Sequence, residues 1–190
     1  MIVIGAEELT DDNCADIEAY IQKGNKALFL VSPYNVDIEN SWNITKSKNQ
    51  RLIRMLESYG IDFSENIVSD FSCARITLES NSNSDGSQAD YVYTKQINYP
   101  FWVNTMPQNE AKQGVTLFWP VALSCIDENV TPLLFSSSSS YEVMPDKNSE
   151  QSLFITNPFV VEEQGFNPTK EPIMQKILAL KINGDRKSTR

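Results

Sequence analysis

An α/β domain wound around a mostly parallel sheet is the fold class predicted by three features of this 190-residue chain. First, an apolar opening run, a capped amphipathic segment and a second apolar run follow one another within about 30 residues, the length of a βαβ unit. Second, another amphipathic segment closed by a glycine leads into Ile67-Val68, in the position of a third strand. Third, dense apolar runs later in the chain, broken by proline and ended by small polar residues, have the texture of buried strands that stop at a surface.

The opening run is Met1 to Ala6 and contains Gly5. Thr10 followed by Asp11 and Asp12 places a capping hydroxyl and two acids where a helix would begin, which satisfies free amides and complements the helix dipole. Cys14, Ile17, Tyr20 and Ile21 recur at helical spacing up to Lys23, and Gly24 is a natural stop. Ala27 to Val31 is continuously apolar, as expected of a strand covered on both faces. The crossover between these strands is expected to be right-handed. Residues 32–45 read as a loop holding Pro33, Tyr34 and Trp42, and the polar setting of Trp42 predicts exposure.

Leu52, Ile53, Leu56 and Tyr59 line one face of a second helix ended by Gly60. From Glu79 to Asp90 almost nothing is apolar, so the segment cannot offset the entropy of ordering and reads as a polar surface insertion. Tyr91 to Tyr93 resumes strand-like alternation. Val115 to Ile126 is a long apolar run in which Pro120 predicts a bulge, an edge or a strand end. Leu133 to Phe135 ends a strand at five serines, residues 142–151 are loop-like, and Phe154 to Val161 is apolar again around Pro158. Ile177 to Leu180 is the last strand, which gives one domain over residues 1–183 and a tail at 184–190.

The formal charge is −9. Four of the sixteen basic residues, Lys181, Arg186, Lys187 and Arg190, crowd the last ten positions, leaving the preceding 180 with twice as many acidic as basic groups. That balance repels a phosphate backbone, so nucleic acid is not an expected partner. The basic end fits a frayed terminus or a contact with an anionic membrane surface. No run of about 20 apolar residues is present to span a bilayer, and the first residues lack signal-peptide character. Cys14, Cys73 and Cys125 are odd in number and far apart, which predicts buried, inert thiols rather than a disulfide framework or a metal motif.

The chain contains no histidine. Ser-His-Asp and Cys-His catalysis and His-ligated zinc are therefore excluded. Phosphate-loop, dinucleotide-turn, nucleophile-elbow and C-x-x-C signatures are also missing, and no cofactor or metal is expected. Cys125 has no imidazole to activate it. The acid pairs Glu7-Glu8, Asp11-Asp12, Asp127-Glu128 and Glu162-Glu163 read as surface or helix-start charges, since sequence neighbours rarely face each other. Trp102 and Trp119 fit the core, although either could stack on a sugar or a partner. The serine run fits a polar turn, and its hydroxyls and amides could also receive an anion or polar ligand. Ligands of open α/β sheets collect beyond the carboxyl ends of strands, which points to Glu7 and Glu8, to Ser32 and Tyr34, and to Ser136, Ser137 and Ser138.

The order of several blocks resembles the auxiliary ABC-transport family, the GldG-type extracytoplasmic domain of gliding motility. The blocks are Tyr20 to Gly24, Ala27 to Val31, Leu56 to Ile61 leading to Asn66 to Asp70, Tyr99 to Val103, Trp119 to Ser124 with Ile126-Asp127, and Thr131 to Leu134 before the serines. The resemblance implies a three-layer Rossmann-like domain similar to class I glutamine amidotransferases, placed in the periplasm or otherwise outside the cytoplasmic membrane. It also implies partners: an ABC permease and its ATPase, or another envelope protein, with anchoring helices outside this chain. It offers no catalytic residue to carry over. The leading expectation is a non-catalytic module that binds a partner or polar ligand, and the alternative is a divergent amidotransferase-like or glycan-acting enzyme without histidine. A plain spacer between membrane helices would look the same in sequence.

Overall fold

A computed structural model describes residues 1–5, 7–48, 50–81, 92–108, 113–125, 129–165 and 174–182. The opening strand-helix-strand order forms as its sequence dictates, although the second strand, expected to be covered on both faces, leaves Leu28 and Leu30 exposed on one of them. Strands β1 (Ile2–Ile4) and β2 (Leu28–Leu30) pair in parallel, with Ile2 opposite Leu28 and Ile4 opposite Leu30. Between them runs helix α1 (Asp11–Gln22). Thr10 Oγ1 accepts from the Asn13 amide at 3.2 Å and Asn13 Oδ1 accepts from the Thr10 amide at 3.0 Å, so two otherwise orphaned donors are satisfied reciprocally. Gly24, at φ +80°, ends the helix in a conformation that costs other residues free energy. Helix α2 (Arg51–Ser58) buries Leu52, Ile53, Met55 and Leu56, and Gly60 at φ +86° follows it.

Residues 32–45 hold a hairpin rather than a loop: β3 (Tyr34–Asp37) pairs antiparallel with β4 (Asn43–Lys46). The larger correction concerns the sheet. Strand β5 (Ile61–Asp70) does not extend the β1–β2 pair but lies in a six-stranded sheet. It sits between β12 (Ser140–Val143) and β10 (Val121–Cys125), followed in space by β13 (Ile177–Ile182), β11 (Val130–Phe135) and β8 (Met106–Pro107). Every pairing in it is antiparallel. A second antiparallel sheet has the order β6 (Cys73–Asn81), β7 (Val92–Asn104), β9 (Thr116–Phe118). The expected three-layer, mostly parallel Rossmann-like fold, similar to glutamine amidotransferases, is therefore not formed. The described part of the chain is a curled antiparallel structure with one small parallel pair.

Connection length excludes a parallel crossover at two places. A parallel neighbour requires a crossover of a dozen or more residues. Only Phe71 and Ser72 separate β5 from β6, and only Trp119 and Pro120 separate β9 from β10. At both places one strand bends and passes from one sheet to the other, which is how crossed sheets make corners. The second corner is hydrogen-bonded to both sheets, since the Trp119 amide donates to Phe101 O at 2.8 Å and the Val68 amide to Pro120 O at 2.7 Å. Pro120 thus marks a strand end, as its sequence setting predicts.

The apolar texture of these strands has a physical source other than parallel pairing. Adjacent residues enter different cores: Ile67 and Val121 join Tyr34, Ile44, Tyr99, Phe101 and Phe154, whereas Val68 and Ala122 join Val103 and Leu178. A third cluster packs Val3, Cys14, Ile17, Leu52 and Leu56 on Ile61 and ties the opening unit to the large sheet. Helix α3 (Pro158–Gln164) starts at Pro158, with Asn157 Oδ1 accepting from the Phe159 amide at 3.0 Å. Glu142 and Val143, expected to open a loop over 142–151, belong instead to β12. Of the polar insertion, residues 79–81 end β6 and 82–90 lie outside the described residues, as does the tail from 184.

Candidate functional site

The sequence-derived candidates occupy two separate corners. Glu7, Glu8, Ser32 and Tyr34 lie beyond the carboxyl ends of the parallel pair, where the Gly5 amide donates to Leu30 O at 2.9 Å. Glu7 and Glu8 are exposed in a turn and Ser32 is half-buried. Ser32 Oγ accepts from the Tyr34 amide at 3.1 Å, which fixes the entry to the hairpin. Tyr34 points inward: its ring meets Phe154 edge-on at 5.1 Å, and its hydroxyl donates to Glu65 O at 2.5 Å. Burial, with the Glu65 charge adding to it, pushes the Tyr34 pKa up to about 12. That hydroxyl holds the hairpin to β5.

The second corner is built around Asp70, the last residue of β5, which is fully buried. Ser137 donates to it twice, from its amide to Oδ2 at 2.6 Å and from its hydroxyl to Oδ1 at 2.5 Å, and the Ser72 amide donates to Oδ1 at 2.8 Å. Ser136 is fully buried as well. Its hydroxyl lies 2.7 Å from that of Ser140 and accepts from the Lys176 amide at 2.7 Å, while Ser140 Oγ donates to Met174 O at 2.7 Å. The serine run is a buried hydrogen-bonded junction that joins β5, β11, β12 and β13. Only Ser138 of the three candidates there is exposed. No ring contact, ion pair or hydrogen bond recorded among the described residues links this corner to Glu7, Glu8, Ser32 or Tyr34.

Two features are hidden in the sequence. Asp70 carries only a weak signal there, an acid at the end of an apolar strand with a stretch rich in small donors downstream. Trp42, expected to be exposed, instead packs against Trp119 at 5.6 Å, Tyr99 at 5.8 Å and Trp102 at 6.4 Å. Trp42 and Trp119 both adopt left-handed backbone, at φ +62° and +45°, which is costly for large side chains and is held here by aromatic packing. Tyr99 anchors the group, donating to Thr156 O and accepting from Trp119 Nε1 at 3.2 Å. Trp119 is core, as expected, and Trp102 is half-buried with Phe118 against it at 4.8 Å.

The reactive inventory is thin. Ser137 lies beside Asp70, yet its oxygen also accepts from the Ser139 amide at 3.0 Å, and all three donors on Asp70 come from the fold itself. Cys14 is buried, and burial raises its pKa; Cys73 and Cys125 are half-buried. No group of three or more Cys, Asp or Glu side chains among the described residues is arranged to hold a metal ion.

A β-rich domain in which Asp70 and the buried serines are taken up by its own junctions is the class that this geometry defines. The chain belongs to the family described as an ABC-type uncharacterized transport system, whose model matches residues 1–189. The resemblance carried by the blocks from Tyr20 to Leu134 therefore stands. A protein of Borreliella burgdorferi, named only "Uncharacterized protein", is 28% identical over 202 residues. The match takes in 99% of this chain and 36% of that relative, so the chain spans about a third of its length. No solved structure matches. No helix among the described residues is long and apolar enough to cross a membrane.

Proposed function

We propose that this chain is a non-catalytic, extracytoplasmic auxiliary domain of an ABC transport or gliding-motility type complex, and that it works by binding a partner protein or polar ligand. The observation that carries the reading is the family match along residues 1–189. The chemistry agrees with it: the chain has no histidine, and its most conspicuous acid, Asp70, already accepts three internal hydrogen bonds. The partners are the permease and ATPase of the complex or another envelope protein. The contact residues are the candidates that solvent reaches, Glu7, Glu8, Ser32 and Ser138, while Tyr34, Ser136 and Ser137 shape the ground beneath them.

The test is affinity capture from detergent-solubilised membranes with the tagged chain, read by mass spectrometry, beside a Glu7→Gln, Glu8→Gln, Ser138→Ala variant. Recovery of permease or ATPase subunits, reduced in the variant, is the expected result. Recovery of no transport component overturns the proposal, and equal recovery by both proteins moves the contact away from these residues. Protease treatment of intact cells and spheroplasts checks the location: digestion only after the outer barrier is opened is expected.

A further inference from the structure

The β1–β2 pair has one face that the described residues leave bare. Val3 is buried and Phe29 half-buried on the side of α1, whereas Ile2, Ile4, Leu28 and Leu30 on the other side are 65%, 77%, 51% and 50% exposed. The register sets Ile2 beside Leu28 and Ile4 beside Leu30, so the four form one continuous apolar square. Parallel strands are ordinarily covered on both faces, and contiguous apolar patches on a soluble surface mark contacts.

The charges at the two ends of the square say what covers it. Lys26, two residues before Leu28, is exposed at the amino end of the strands, and Glu7 and Glu8 are exposed at the carboxyl end. None of the three has an ion-pair partner among the described residues. A membrane surface would favour basic residues around the whole patch. A patch with one basic end and one acidic end is complementary to itself after a two-fold rotation, which is the requirement of an isologous interface.

We propose that this face binds a second copy of the chain, with the strands of the two copies antiparallel, so that Lys26 of each lies against Glu7 and Glu8 of the other. The patch is smaller than the roughly 800 Å² per partner of a standard interface, which makes the dimer weak and concentration-dependent. This contact shares Glu7 and Glu8 with the surface proposed for transporter binding, but it is tested on the purified chain alone, so its failure leaves that reading untouched.

Sedimentation velocity of the full 190-residue chain tests it. The mass is expected to rise from one chain toward two between low micromolar and near-millimolar concentration. Ile4→Asp should hold it at one chain while circular dichroism and melting stay those of a folded protein. Lys26→Glu should weaken association about tenfold, because two attractive contacts become repulsive. Adding Glu7→Lys and Glu8→Lys to Lys26→Glu should restore it. A single chain at every concentration, a dimer indifferent to Ile4→Asp, or no rescue by the charge exchange would each overturn the proposal.

Discussion

Replacing Asp70 by asparagine isolates what the buried serine junction contributes to the fold. The substitution preserves volume but turns one of two acceptor oxygens into a donor. If the new NH2 occupies the Oδ2 position it confronts the Ser137 amide, which now reaches that atom at 2.6 Å. In the opposite orientation it confronts Ser137 Oγ and the Ser72 amide. The hydroxyl can rotate and accept, but the amide cannot. Either way a backbone N–H loses its acceptor, that of buried Ser137 in the first case and that of half-buried Ser72 in the second. An unsatisfied buried donor costs about 1–3 kcal/mol, and the remaining bonds lose the extra strength that a charged acceptor gives. The expected loss is about 3 kcal/mol, or about 6–12 °C in melting temperature for a chain of this size. Urea unfolding followed by tryptophan fluorescence, with calorimetry at neutral pH, measures it. Ser137→Ala, which keeps the amide bond to Asp70, should cost about 1–2 kcal/mol. The double variant should be less destabilised than the sum by about 1 kcal/mol, since the pair shares one interaction. A loss below about 1 kcal/mol for Asp70→Asn, or strict additivity, would show that the junction is not what holds the strand ends together.

Two further outcomes follow from local geometry. Burial raises the pKa of Tyr34 to about 12 and raises that of Tyr99 as well, so both hydroxyls ionise more readily in the unfolded chain. Their contribution to stability is complete below the ordinary tyrosine value of about 10 and is lost as the pH climbs through the folded values. Ultraviolet titration should therefore show two of the seven tyrosines ionising last and together with unfolding, and Tyr34→Phe should remove one of them. Gly114 leaves no room for a methyl group, because a Cβ there would stand 2.0 Å from Thr105 O, and the Thr105 hydroxyl also accepts from the Val115 amide at 2.9 Å. Gly114→Ala should cost about 1–3 kcal/mol in chemical denaturation, by forcing the backbone apart, and an unchanged midpoint would contradict the close approach.

What was readable in advance follows a physical division. Both early helices were legible because their signals are local: the Thr10 cap, the acids behind it, the period of Leu52, Ile53 and Leu56, and the glycines at 24 and 60 act within a few residues. The β1–α1–β2 unit was legible for the same reason. The sheet was not, because a continuous apolar run reports burial on both sides and says nothing of which strand lies alongside. Ile67 and Val68 face different cores of an antiparallel sheet and look, in sequence, like a parallel strand. The candidate site divides in the same way. Ser136 and Ser137 stood out by composition, but their partners Asp70 and Lys176 lie 67 and 40 residues away, and only the fold brings them together. Trp42 misled because its neighbours in sequence are polar while its neighbours in space are Tyr99, Trp102 and Trp119.

The chain's residues by themselves settled the exclusion of histidine-dependent chemistry, the two early helices, the first parallel pair and the kinship with a transport family. Each of these depends on residue type or on spacing within one element. Tertiary structure alone decided that the long strands run antiparallel through two bent corners, that the serines close over a buried aspartate, and that one apolar face of the opening pair is left uncovered by the described residues. Those outcomes belong to pairings between distant segments, where the length of a connection and the shape of a shared core select the partner, and no stretch of a few residues carries that information.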